Sequence, residues 1–208
     1  MPSAGRIERT FNPLAAILSP GEPLAPDVSS LPPATDSSGG DGRRVLVGGV
    51  GYTNLRDMSA GPLLIERLQR LDWPPEVVVA DLSYGPIDVL FQLQAVARFS
   101  VGVFLAAVDR GLEPGTVTVA PWRGRRPSAD ELQRRIGEAV TGVVSLENLL
   151  MILDHFDALP RRTLTVEVQP SDQHWGPDLS RAAEAALQRA QIVVRDLVER
   201  ARAGAPLP

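Results

Sequence analysis

Between Gly48 and Leu68 the chain reads GGVGYTNLRDMSAGPLLIERL. An apolar run, RRVLVGG, leads into it and a helix-like pattern follows. A glycine-rich turn between a strand and a helix is where α/β proteins often hold an anion or a nucleotide. The crest of this turn carries a carboxylate and a thioether, Asp57 and Met58. As a dinucleotide fingerprint it is incomplete. Gly49 and Gly51 are present, but Asn54 stands where a third glycine would let helix pack on strand. The helix also begins near Gly61, too late to aim its N-terminus at a pyrophosphate, so a nucleotide is not the expected ligand.

Other groups with chemical potential are scattered. In ADLSYGPID, Asp81 ends an apolar run, and Asp81 or Ser83 either caps the next helix or faces a ligand. Only two histidines exist, His155 between Asp154 and Asp157 and His174 in SDQHWGP; structural or surface roles are expected for both. The densest basic cluster is WRGRRP, where Arg123, Arg125 and Arg126 flank Trp122 as a solvated loop or as a docking surface for an acidic segment. There is no GxSxG elbow to mark a serine nucleophile.

Composition narrows the chemistry further. The 208 residues are 44% apolar, enough for one substantial core. The absence of cysteine excludes disulfides, thiolate metal sites and cysteine nucleophiles. All 21 basic residues are arginine, which removes Schiff-base and Walker-lysine mechanisms. A net charge of −4 gives no polyanion-binding footprint, so neither nucleic acid nor an anionic membrane is an expected partner. No apolar run approaches the roughly 18 residues of a membrane span, and a cytoplasmic protein is expected.

The elements that must position these groups begin at Arg43. Residues 1–42 hold seven of the 19 prolines and show no sustained period; they read as a disordered or partner-docking arm, with FNPLAAIL (11–18) as its one apolar patch. Strands are expected over 45–50, 76–82, 101–108, 115–121 and 163–168. The first and third are almost wholly apolar, as in a parallel sheet covered on both faces. The fourth and fifth alternate more and are expected at edge or half-exposed positions. Helices are expected over 61–71, 86–98, from Ser128 onward, 145–156 and 178–202. The last carries a stripe of Leu179, Ala183, Ala186, Ala190, Val193 and Leu197. The fold class is therefore α/β: a three-layer α/β/α sandwich of phosphorylase/hydrolase-like type on a mostly parallel five-stranded sheet. The domain spans 43–202, with 203–208 as a flexible tail.

On these motifs, the chain from about 44 to 200 resembles the hydrogenase maturation endopeptidases, which remove a C-terminal tail from the large subunit of nickel–iron hydrogenases after nickel insertion. The opening loop keeps the family spacing without a gap, with Gly49, Gly51, Leu55, Asp57, Gly61 and Leu68 in family character. DLSYGPIDVL retains Asp81 and Gly85, PGT opens the fourth strand at 114–116, and LPRRTLTVEVQP (159–170) matches the late strand and the proline after it.

The resemblance also marks what is missing. The family senses nickel through a glutamate, an aspartate and a histidine; the corresponding positions here are Met58, Ala106 and Gly142. A thioether suits soft ions, and alanine and glycine offer no side-chain donor. The resemblance thus implies no cofactor and no metal site. It implies a protein that engages a hydrogenase large subunit, its C-terminal tail or other maturation factors through a groove formed by Gly51, Asp57, Met58, Asp81, Ser83 and Tyr84, with Arg123, Arg125 and Arg126 holding a carboxylate-bearing tail. The alternative is an active endopeptidase with a changed mode of recognition, in which Asp57 is the residue nearest the scissile region. A small-molecule enzyme that reuses the fold is a third reading.

Overall fold

The structure, a computed structural model, describes residues 43–96, 98–124, 127–140 and 144–208. The arm 1–42, Arg125, Arg126 and Gly142 lie outside the described residues. Five strands form one sheet: β1 (Val45–Gly49), β2 (Val77–Asp81), β3 (Val101–Ala107), β4 (Val117–Pro121) and β5 (Arg162–Val168). Their spatial order is β2-β1-β3-β5-β4, parallel throughout except for β4, which runs antiparallel to β5.

The period-2 pattern of the strands sorts the core into two halves. Val45 and Val47 of β1, with Val101, Val103 and Leu105 of β3, point toward α1 (Ala60–Gln69) and α5 (Arg181–Ala203). There they meet Leu64, Ile65 and Leu68, and the buried α5 stripe of Ala186, Leu187, Ala190, Val194 and Leu197. Leu46, Phe104 and Ala106 point the other way. That face is covered by α2 (Pro86–Ala95), α3 (Ala129–Val140) and α4 (Leu146–His155). Each layer covers apolar side chains that alternate along the same strands, and the result is the expected three-layer sandwich.

One expectation is corrected. β4 is an edge strand as anticipated, but β5 is not: it lies between β3 and β4, and Thr163 and Thr165 on it are buried. Their hydroxyls make this tolerable by donating to the carbonyls of Pro160 (3.0 Å) and Ala120 (3.5 Å). Of residues 203–208, expected to be a flexible tail, Ala203, Gly204, Pro206 and Pro208 are exposed and Leu207 is buried. Gly204 ends α5 in the left-handed region (φ 68°), and Leu207 beyond it joins the buried core on the α1/α5 face.

Candidate functional site

The strand order turns outward from β1 in both directions, to β2 on one side and β3 on the other. In an open α/β sheet the crevice at such a switch point, beyond the carboxyl ends of the strands, is where ligands bind. A cavity of about 170 Å³ lies there. Val50, Gly51, Tyr52 and Met58 line it from the β1 side, Ala106 to Arg110 from the end of β3, and Val144 to Glu147 from the start of α4.

The glycine-rich turn beside this cavity is a packing device. A Cβ on Gly61 would sit 2.2 Å from the Val50 carbonyl oxygen, and one on Gly51 would sit 2.6 Å from that of Met58. The backbone at the start of α1 thus rests on the backbone leaving β1. The turn's N–H groups are consumed internally: Tyr52 donates to Met58 O, Leu55 to the Ser59 hydroxyl, Met58 to Leu55 O, Arg56 to Gly176 O and Asp57 to Asp172 O. These donors have partners within the protein, so they do not form an anion cradle.

Asp57 does not line the groove. It sits in a short 3₁₀ turn (Arg56–Ser59) with no solvent exposure. Its Oδ2 accepts the Ser171 N–H (2.9 Å) and hydroxyl (3.0 Å), the Asp172 N–H (3.0 Å) and the Ser180 hydroxyl (2.8 Å), and its Oδ1 accepts the Ser180 N–H at 2.7 Å. Burial pushes its pKa up, but the donated hydrogen bonds, with those from Ser171 and Ser180 foremost, outweigh it and hold the carboxyl below its ordinary value. This carboxylate is saturated and turned inward.

Asp81, Ser83 and Tyr84 are likewise spent on structure. The Asp81 carboxylate accepts the Ser83 N–H at 2.9 Å, a local turn that leads into α2. The Tyr84 phenol donates to Gln92 Oε1 one turn into α2, and burial pushes its pKa up to about 12. None of the three lines the cavity, because they follow β2, on the other side of β1 from β3.

Arg123 is at the wrong end. β4 runs antiparallel, so the residues after Pro121 emerge beside the beginning of β5, where Trp122 N–H donates to Thr163 O at 2.8 Å. His155 ends α4 with its ring against Phe156 at 4.9 Å, whereas the start of α4 lines the cavity. His174, 90% exposed, pairs with Asp172 at 2.9 Å.

Met58 and Ala106, the two described positions that correspond to family metal ligands, do come together on the cavity wall. They bring a thioether and a methyl group, and no three His, Cys, Asp or Glu side chains among the described residues are grouped to hold a metal ion. The described residues do not fit the family's nickel-sensing site. The polar residues at the cavity are instead Asp109, Arg110, Ser145, Glu147 and Tyr52, whose hydroxyl accepts the Val144 N–H at 3.0 Å. Asp109 accepts from Gln169 (2.8 Å), the Gly111 N–H (3.0 Å) and Gln173 (3.2 Å), with Gln169 the main reason its pKa is lowered. Tyr52 was readable only as the residue after Gly51. Asp109 had a visible signal, a carboxylate three residues past Ala106.

No protein-family model matches the sequence, and no curated protein matches it. Solved structures do. The chain is similar to the hydrogenase maturating endopeptidase HybD from E. coli, with 23% identity over 77% of this chain and 94% of that one and a TM-score of 0.58. It is similar to the hydrogenase 2 maturation peptidase from Thaumarchaeota archaeon SCGC_AB-539-E09, with 23% identity over 74% and 97% and a TM-score of 0.54. It is also similar to the [NiFe] hydrogenase maturation protease HycI from Thermococcus kodakarensis KOD1, with 18% identity over 74% and 91% and a TM-score of 0.56. The chain therefore has the fold of the hydrogenase maturation endopeptidases, the family its opening loop resembles.

Proposed function

We propose that this protein binds the C-terminal region of a nickel–iron hydrogenase large subunit, or another maturation factor, as an accessory protein that no longer carries out the metal-dependent proteolysis of its structural relatives. One observation carries the reading: Met58 and Ala106 share the cavity at the switch point, at the positions where the family resemblance of the sequence calls for a glutamate and an aspartate. Neither side chain is a donor for a borderline divalent ion. The cavity offers an apolar wall of Val50, Met58, Ala106 and Val144 beside the charged groups of Asp109, Arg110 and Glu147, a mixed lining able to take a segment of a bound chain.

The test is to incubate the full chain with nickel-loaded large-subunit precursor from the same organism and follow intact mass and co-elution. Co-elution with an unchanged mass is expected. Loss of the C-terminal tail would instead establish a second reading, an active endopeptidase with altered recognition. That reading would have to run through Asp109, whose carboxylate lies at the cavity, because Asp57, the residue expected nearest the scissile region, is walled off.

A further inference from the structure

Within the connection from β5 to α5, both ends of the ten-residue stretch from Ser171 to Ser180 are fastened to one carboxylate. Asp57 takes the first residue's N–H and hydroxyl, the second residue's N–H, and the last residue's N–H and hydroxyl. The middle is fastened as well. Gly176 N–H donates to Asn54 O (2.8 Å) and Arg56 N–H donates to Gly176 O (2.9 Å). Asn54 (φ 59°) and Arg56 (φ 40°) hold left-handed backbone to make these contacts. Such conformations cost about 1–3 kcal/mol each for ordinary residues and persist only where surroundings over-determine them. Asp172 adds Arg56 at 3.4 Å and His174 at 2.9 Å.

This braced loop presents Trp175 with 76% of its surface exposed. The other two tryptophans, Trp73 and Trp122, are half-buried against the core. A large indole left in water on a held loop loses little conformational freedom when it docks, and tryptophan is the side chain most enriched among binding hot spots. The loop is continuous with the cavity rim, since the Gln173 amide donates to Asp109 Oδ2 at 3.2 Å.

The geometry points to Ser171–Ser180 as a preformed docking loop, in which Trp175 enters an apolar recess on the hydrogenase large subunit that also offers an acceptor to the indole N–H, with Asp57 as the positioning residue that holds the loop. The partner named here rests on the function proposed above. The charged and imidazole neighbours, Asp172, His174 and Asp178, favour a protein surface over a lipid one.

The experiment measures the affinity of the full chain and its variants for the large-subunit precursor. Trp175→Ala, at an exposed position, keeps the wild-type unfolding temperature and weakens binding about 30-fold; Trp175→Phe weakens it less. In Asp57→Asn, the amides of Ser171, Asp172 and Ser180 lose hydrogen-exchange protection by a larger factor than those of β1, and binding falls. If Asp57→Asn does not fold, Ser171→Ala gives the same readout at smaller size. Wild-type affinity in Trp175→Ala, or unchanged loop protection in Asp57→Asn, overturns the inference and leaves the proposed function standing. If wild-type protein itself does not bind the precursor, the proposed function fails and takes this docking assignment with it. Trp175-dependent retention on phosphatidylcholine vesicles without precursor binding assigns the loop to a membrane and also overturns it.

Discussion

Ser180 donates both its N–H and its hydroxyl to Asp57, at 2.7 and 2.8 Å, across 123 positions of sequence. The same hydroxyl accepts the Ala183 N–H at 3.1 Å and so caps α5. One serine therefore couples the start of the longest helix to the turn that introduces α1, and the carboxylate between them is a structural acceptor.

Replacing that carboxylate will be costly. Asp57→Asn swaps a charged acceptor for an amide whose NH₂ meets donors, and a loss of about 3–5 kcal/mol is expected, of the size seen when a buried charged network is broken. Urea unfolding at pH 7 measures it. A loss below about 1 kcal/mol would contradict the saturated geometry.

The acid limb of the stability curve carries the same signature. The folded pKa of Asp57 lies below its unfolded value, so its contribution is present above about pH 4 and is lost as pH falls through the folded value. Wild-type protein should lose stability on acidification below about pH 4 more steeply than Asp57→Asn. Parallel curves from pH 5 to 2 would show that the carboxylate's ionisation is not coupled to folding.

Two glycine substitutions should have opposite effects. Gly61→Ala drives a methyl to 2.2 Å from the Val50 carbonyl, so a loss of at least about 2 kcal/mol is expected, or failure to fold. Gly137→Ala in α3 meets nothing within 4 Å and removes a helix-interior glycine, which should add about 0.5–1 kcal/mol. Thermal melts of the two variants check the contrast, and equal effects would refute it.

Partner binding should be indifferent to nickel. Met58 and Ala106 offer the ion no suitable donor, so affinities for nickel-loaded and nickel-free precursor should agree within about threefold, with or without chelator. A difference of about tenfold or more, measured by interferometry, would mean that the ion is read by groups outside this pair.

Ultraviolet titration should show a phenol that resists ionisation. Burial pushes the Tyr84 pKa up to about 12, so its contribution to stability is intact below about pH 10 and declines as pH rises toward 12. Tyr84→Phe should remove the transition near 12. If that variant leaves the high-pH transition of the folded protein unchanged, Tyr84 is not buried as described.

Much of the architecture was legible along the chain. All five strands and five helices lie where apolar periodicity puts them, because covering a parallel sheet on both faces demands continuous apolar strands and one-sided helices. The Ser128 cap was legible too, and its hydroxyl accepts the Glu131 N–H at 3.2 Å. The site was less so. Composition removed whole classes of chemistry, and of the six residues expected at a groove, Gly51 and Met58 line the cavity at the switch point. Three decisions belonged to the tertiary structure. The reversal of β4 carried Arg123 to the far end of the sheet. The position of β5 inside the sheet buried threonines that its alternation would have exposed. The loop after β5 brought Ser171, Asp172 and Ser180 onto Asp57, which turned a carboxylate at the crest of a ligand-like turn into a buried brace. Periodicity is local and survives in the sequence; the direction of β4 is set by its pairing with a strand that follows only after a long intervening segment, and the partners of Asp57 lie 114 to 123 positions away, which a linear pattern does not record.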